Sequence, residues 1–459
     1  MSDRVKGLTN DEILNIISNG GGRVYFCGVG GVSMCSLFCL TRYFGIAASG
    51  SDRRESPILS SLKYGGEDII IGERADIPKD TSLFVYSHAI AEEHSERRIA
   101  RLMGVPEVSR AEYMGALMRC YENRIGISGS HGKSTVTAMV TKIFSDLSLL
   151  PTSLSGANLF SSDLPFLVGT LDYLIYESCE YKDSFLSFSP TVGLFLNMEL
   201  DHTDYFSDFS ALERSFLAAM KRAERIIVNA DDLRLTQLAK RSGKRVVTYG
   251  RVASADYRYE PISTKPGAMR FLFFKDRREL GEVHLPMLGE FNMSNAAAAL
   301  SVASELSLDF CEAAHSLSEF SGISRRLERI GKFHGREIYY DYAHHPTEIK
   351  ASVRAVKECG KGRVTVIFRP HTYSRTKDLW KGFIDALSEA DFSLLLPVDA
   401  VREQEDLGVS SEALALAVGG MYCADISDIE KNLAITEGDI ILMGAADVGE
   451  TKKFLTEKE

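Results

Sequence analysis

The stretch "GISGSHGKSTVT", residues 126–137, decides how the rest of the chain is read. The usual phosphate loop is a glycine, four free positions, then Gly-Lys-Ser/Thr. Gly132, Lys133 and Ser134 supply the end of that pattern, but Ile127 stands where its first glycine belongs, and the nearest upstream glycine is Gly129. The flanks suit a nucleotide loop all the same. "NRIGISG" (123–129) reads as a buried strand, and a helix opens at Gly132. Backbone N–H groups at a helix start attract anions. Lys133 adds a cation for the terminal phosphates, and Ser134 or Thr135 offers a hydroxyl to Mg2+. The alternative is a polar turn that happens to hold Gly-Lys-Ser. His131 alone reads as a capping or packing histidine.

A phosphoryl-transfer site also needs a carboxylate to meet Mg2+, usually at the end of a neighbouring strand. Glu177 ends "DYLIYE" (172–177), and Asp201 and His202 follow the next strand, "TVGLFLN" (191–197). Parallel strands present their carboxyl ends along one edge, where ligands bind. Together with the loop, these residues predict a metal–phosphate site.

The N-terminal "CGVGGVSM" places Gly28, Gly30 and Ser33 at G-x-G-x-x-G spacing, and Asp52 lies 24 residues after Gly28. That spacing fits a hydride-transfer cofactor, another nucleotide diphosphate, or a structural turn. Late in the chain, "YDYAHHPTE" (340–348) and "FRPHTYSRTKDL" (368–379) each follow a strand. Adjacent histidines point apart, which argues against zinc. Arg369, His371, Arg375 and Lys377 form either an anion clamp or a solvated basic loop.

Strand and helix patterns alternate along the chain, which predicts an α/β fold with mainly parallel sheets. "FLFFKDRRELGEVHLP" (271–286) departs from this as a β-hairpin. The 459 residues exceed one core and divide into units 1–109, 110–324 and 325–459. A net charge of -10 argues against a nucleic-acid partner. Val24–Thr41 is uncharged over 18 residues, but its glycines and serines favour a strand, a turn and a buried helix over a membrane span. The first residues carry no apolar signal core. Eight cysteines without a Cys-x-x-Cys pair suit free thiols in a reducing cytoplasm.

The blocks "GVGGVSM", "GSHGKSTVT", "DHTDYF", "GEFNMSNAAAA", "SRRLE", "YDYAHHPTE" and "FRPHTYSRTKDL", in this order, resemble the Mur ligases from about residue 20 to 450. That family's loop is the short form, Gly-x-x-Gly-Lys-Ser/Thr with a histidine before the second glycine, so Ile127 is no obstacle. The resemblance implies three domains: an N-terminal Rossmann-like one for a UDP-sugar, a central P-loop-type ATPase and a C-terminal Rossmann-like one. It implies that ATP activates the lactyl carboxylate of UDP-N-acetylmuramate as an acyl phosphate and that L-alanine then attacks, in peptidoglycan precursor synthesis. The same-class alternative is a recycling ligase that adds a whole peptide. It further implies ATP and Mg2+ as cofactors, small-molecule partners without nucleic acid or membrane, a monomer or weak dimer, and a cytoplasmic location.

Carried over residue by residue, the resemblance assigns Gly129, Ser130, His131, Gly132, Lys133, Ser134, Thr135, Asn292, Asn295, Arg326 and Asp341 to ATP. Lys133, Glu177, His202, Arg326 and Asp341 are its catalytic set. Ser134, Glu177 and His202 are its metal ligands. Gly28, Gly30, Gly31, Ser51, Asp52 and Ser87 take the UDP-sugar, and His344 and Arg375 the amino acid. The chain departs from the family pattern at Ser33 (commonly glycine) and Thr372 (often arginine), and in "ESCEYKDSFL", where Glu177 is favoured over Glu180. Leu217 stands where ligases for later amino acids carry a modified lysine, as expected of the alanine-adding branch.

Overall fold

The computed structural model describes all residues except 1–7, 20, 56–58, 61–67, 73–75, 160–163, 204, 361, 401–402, 404–407, 446–447 and 457–459. Residues 1–7 of the polar start, Asp204 of "DHTDYF", and Ala446 and Asp447 therefore lie outside the described residues. The described chain forms three sheets in sequence order, as the alternating pattern predicts.

The first sheet has five parallel strands in the order Ile69–Ile71, Ala48–Asp52, Arg23–Cys27, Thr81–Tyr86, Glu107–Ser109. Val24, Tyr25, Phe26 and Cys27 are all buried, as in a strand covered on both faces. The chain turns at Gly28, whose φ of +83° favours glycine, and enters the helix Val32–Tyr43. No side chain caps that helix, so its first N–H groups stay available to a ligand. The apolar run weighed as a membrane span is thus a strand, a turn and a helix, and no helix among the described residues is long and apolar enough to cross a membrane. Strand order reverses between Arg23–Cys27 and Thr81–Tyr86, which opens a crevice at their carboxyl ends.

The second sheet has ten strands. Asn123–Ser128, which carries the phosphate loop, is flanked by Val192–Phe195 on one side and Tyr173–Glu177 on the other, all parallel. This placement delivers residues 196–202 and Glu177 to the same edge as the loop. Beyond Val192–Phe195 the sheet continues to the antiparallel pair Met269–Lys275 and Arg278–Leu285, the expected hairpin. The alanine-rich helix Phe291–Glu305 is buried almost all round and packs on the loop helix Lys133–Asp146. Its small side chains permit that close approach and bring Asn292 and Asn295 to the loop end.

The third sheet runs Glu328–Phe333, Arg336–Asp341, Asp439–Met443, Val364–Phe368, Phe392–Leu395, Met421–Tyr422, parallel except at its first strand. "YDYAHHPTE" leaves the strand Arg336–Asp341 and starts the helix Pro346–Cys359. His345 caps that helix, Pro346 opens it, and Glu348 bonds back to the His345 N–H.

The helix Arg110–Leu117 joins the first sheet to the second, and its Gly115 lies against the Ser187 carbonyl so closely that a Cβ would collide with it. We expect Gly115→Ala to destabilise this junction by ~1–3 kcal/mol, the usual range for overpacking. Thermal denaturation checks this, and an unchanged melting temperature would show that the two backbones can separate freely.

Candidate active site

Two glycines shape the phosphate loop. Gly129 and Gly132 have φ of +148° and +85°, and a Cβ on Gly132 would come within 2.8 Å of Asn295 Oδ1. The loop is held by the next strand's continuation. Asn197 accepts the His131 N–H at 2.8 Å and donates to the His131 carbonyl at 3.0 Å. The Ser130 hydroxyl donates to the Glu199 carbonyl at 2.9 Å and accepts the Glu199 N–H at 2.8 Å. Lys133 opens the helix and folds back so that its ammonium donates to the Gly129 carbonyl. The same ammonium donates to Glu180 Oε2 at 3.1 Å. Burial by itself would lower the Lys133 pKa, but Glu180 outweighs it and holds the ammonium charged well above its ordinary range.

Sequence reasoning ranked Glu177 above Glu180. In the structure Glu177 Oε1 accepts from the Ser155 hydroxyl at 3.0 Å and from the Gly156 N–H, while buried Glu180 receives the lysine. Glu180 also acts electrostatically on His202, whose pKa burial pushes down, so that its imidazole is neutral near pH 7. The His202 ring lies 4.5 Å from that of Tyr181, and His202 takes φ of +54°. Ser134 and Thr135 are buried in the first turn of the loop helix.

The neighbouring Asp201 is engaged by Arg375 from the third sheet. Arg375 donates to Asp201 Oδ1 through Nη2 at 2.7 Å and Nε at 3.1 Å. The pair is buried. Desolvation would raise the Asp201 pKa, but Arg375 drives it far below the ordinary range. Within the basic stretch 368–379, Arg375 thus closes an ion pair between the second and third sheets, while Lys377 is exposed. His344, the other residue assigned to the amino acid, donates its Nδ1–H to the Tyr342 carbonyl at 3.0 Å, and burial lowers its pKa to about 4.

A second interdomain bridge runs through the loop histidine. His131 meets Glu199 Oε2 and Glu348 Oε1 at 3.1 Å each. Burial would lower its pKa, but Glu348 and Glu199 together raise it to about 9. The Thr347 hydroxyl donates to Glu199 at 2.7 Å, and Arg326 pairs with Glu348 at 3.6 Å. These groups wall a cavity of about 240 Å3 between the two sheets, into which Gly132, Asn292, Asn295, Arg326 and Asp341 also face. Asn295 donates to Asn292 at 2.8 Å, and Asn292 to the Leu288 carbonyl at 2.8 Å. Burial raises the Asp341 pKa to about 6, partly opposed by the Ser352 hydroxyl it accepts from.

The N-terminal crevice is lined by Gly28, Gly31, Ser51, Asp52 and Ser87 among others. Asp52 accepts the Gly30 N–H at 2.8 Å, so it fastens the glycine turn as well as facing the crevice. Ser51 donates to buried Glu96 at 2.6 Å.

Sequence reasoning did not single out Glu199 or Glu348, and it read Asp201 only as a strand-end carboxylate. Glu348 had a signal, being three residues after the position that caps a helix opened by proline, but a histidine cap lies outside the usual Ser/Thr pattern.

Three family models match the chain: "Mur ligase family, catalytic domain" over residues 23–122, "Mur ligase middle domain" over 127–303, and "Mur ligase, glutamate ligase domain" over 325–446. Among sequence relatives, the UDP-N-acetylmuramate–L-alanine ligase of Caldicellulosiruptor saccharolyticus is 36% identical over 449 residues, 95% of this chain and 98% of its own. The ligase of that name from Clostridium novyi is 36% identical over 445 residues, 95% and 97% of the two chains. Among solved structures, the UDP-N-acetylmuramate-alanine ligase of Thermotoga maritima superposes with a TM-score of 0.81 at 23% identity, covering 95% of this chain and 99% of that one. A murein peptide ligase from Psychrobacter arcticus gives 0.69 at 20%, covering 92% and 96%. These last two likenesses concern the fold. By its sequence over nearly its whole length, the chain belongs to the Mur ligase family.

Proposed function

We propose that this chain is an ATP-dependent ligase that joins L-alanine to the lactyl carboxylate of UDP-N-acetylmuramate, with ADP and phosphate as the other products. The observation that carries the reading is the short glycine loop whose lysine is buried, charged and held by Glu180 at the edge where three strand ends meet. Full-length relatives named for this reaction support it. Residues 1–109, 110–324 and 325–459 serve as sugar-nucleotide, ATP and amino-acid units. The enzyme works in the cytoplasm on small molecules, as a monomer or a weak dimer.

A carboxylate is a poor electrophile. In the first step its oxygen attacks the γ-phosphorus of ATP and ADP leaves. In the second, the neutral amine of L-alanine attacks the acyl carbon, phosphate departs with the former carboxylate oxygen, and the nitrogen loses a proton. Catalysis of the first step is mainly positioning and charge neutralisation. On this reading the loop N–H groups and Lys133 would take the phosphates, and Asn292 and Asn295 the adenine end. Arg326, now on Glu348, is placed to move onto the nucleotide.

The donors near the loop fit Mg2+: a hydroxyl at Ser134, carboxylates at Glu177 and Glu180, and a neutral imidazole at His202. When bound, the ion would neutralise charge on the transferring phosphoryl group. Closing of the second and third sheets over the nucleotide would keep water from an acyl phosphate that otherwise hydrolyses. His344, neutral at working pH, and Arg375 serve the amino acid, which requires Arg375 to exchange Asp201 for the incoming carboxylate.

Phosphate release with Mg2+-ATP should require both UDP-N-acetylmuramate and L-alanine, and it should fall by about 10²–10³ in Lys133→Ala, the loss typical of a transition-state donor. Release driven by a free tripeptide but not by L-alanine would replace this reading with the recycling ligase. The His131 bridge gives a pH dependence. Its folded pKa of about 9 exceeds the ordinary 6.5, so its stabilisation is full below about pH 6.5 and is lost as pH rises through 9. The melting temperature of the wild type should therefore fall more steeply from pH 6.5 to 9 than that of His131→Gln, and parallel slopes would refute the bridge.

A further inference from the structure

A cavity of about 560 Å3 lies where the three sheets meet, lined by Ser87, Arg110, Tyr181, His202, His344 and Arg375 among others. Most of the basic groups around it are accounted for. Arg375 holds Asp201, and Lys182 donates to the His88 carbonyl at 3.4 Å with its ammonium over the Tyr181 ring. His202, His344 and His371 are kept neutral by burial.

Arg110 differs from these. Among the described residues its guanidinium makes no hydrogen bond and no ion pair. The side chain is part-buried, and enclosure of the guanidinium lowers its pKa, yet an arginine does not give up its proton. The nearest acid in sequence, Glu112, is taken by the helix cap, where it accepts the Ser109 N–H at 2.7 Å. Arg110 is also the first residue of the helix Arg110–Leu117, the end at which the helix dipole disfavours a cation. A part-buried cation with no acidic partner among the described residues thus stands at the unfavourable end of a helix dipole. An anionic ligand would offset that cost.

The cavity identifies the anion. Ser87 and Ala89 line both this cavity and the N-terminal crevice, so a ligand seated on the Gly28 turn extends past them toward Arg110. On the other side, Cys179 precedes Glu180, the partner of Lys133. Gly28 and Gly31, the turn that would hold a diphosphate, line the crevice and are not part of this cavity. A sugar nucleotide seated with its diphosphate on that turn would therefore meet Arg110 with the acidic end of its sugar.

We propose that Arg110 is the clamp for the carboxylate of the sugar nucleotide, holding it by charge-assisted hydrogen bonds between the N-terminal crevice and the phosphate loop. The assignment rests on the ligase reading above and adds to it the group that aims the nucleophile.

Calorimetric titration of the full chain tests it, with UDP-N-acetylmuramate and with UDP-N-acetylglucosamine, which keeps the uridine, diphosphate and ring but lacks the lactyl carboxylate. In Arg110→Met, affinity for the first ligand should drop by about tenfold or more, as for loss of a charged hydrogen-bond partner. Affinity for the second should stay within about twofold, because it makes no charged hydrogen bond to lose. The melting temperature should hold or rise, because an uncompensated charge has been removed. Arg110→Lys, which retains the charge without the fork, should lie between. The proposal fails if both ligands weaken equally, if neither weakens, or if both variants lose stability while the wild type's preference for the carboxylate-bearing ligand is retained. A wild type that binds neither sugar nucleotide would instead overturn the ligase reading itself, and this assignment with it.

Discussion

The ion pair between Lys133 and Glu180 is the interaction around which the central sheet is arranged. A lysine enclosed at the end of a buried strand is tolerable only if a carboxylate and carbonyls take its three protons. The Gly129 and Ser130 carbonyls and Glu180 do so. The two glycines with positive φ let the loop wrap that closely, and the strands on either side of Asn123–Ser128 bring in the rest. The result is an ammonium held charged at the loop before any nucleotide arrives.

The two bridges to the third sheet extend this logic across the seam. Asp201 with Arg375, and His131 with Glu348 and Glu199, each join a residue from the central loop edge to one from the third sheet's loop edge. Both use groups that a nucleotide or an amino acid would also contact. If the proposed function holds, ligand binding would be coupled to these pairs by exchange of partners, with Arg326 leaving Glu348 for phosphate and Arg375 leaving Asp201 for a carboxylate.

Much of this was legible in the chain. The strands around the loop, the glycine turn after Cys27 and the hairpin within 271–286 all follow from apolar runs bounded by glycine and from the change to antiparallel pairing. The family was legible from ordered blocks. What escaped was pairing at a distance. Nothing local distinguishes Glu180 from Glu177: both lie at the carboxyl end of the same strand, and the turn through Lys182 and Asp183, with positive φ at each, accompanies the turning of Glu180 toward Lys133. Arg375 and Asp201 stand 174 residues apart, and His131 and Glu348 217. Such contacts depend on how two sheets face one another, which periodicity and spacing do not encode.

The central claim is that the carboxylate of the sugar nucleotide becomes an acyl phosphate on its way to the amide. UDP-N-acetylmuramate labelled with 18O in its lactyl carboxylate tests this directly, by mass analysis of the phosphate released on turnover with ATP and L-alanine. The account predicts one 18O atom in each released phosphate, carried over when the acyl–oxygen bond breaks. Phosphate without the label, formed alongside the amide, would mean that the oxygen came from water and would contradict it.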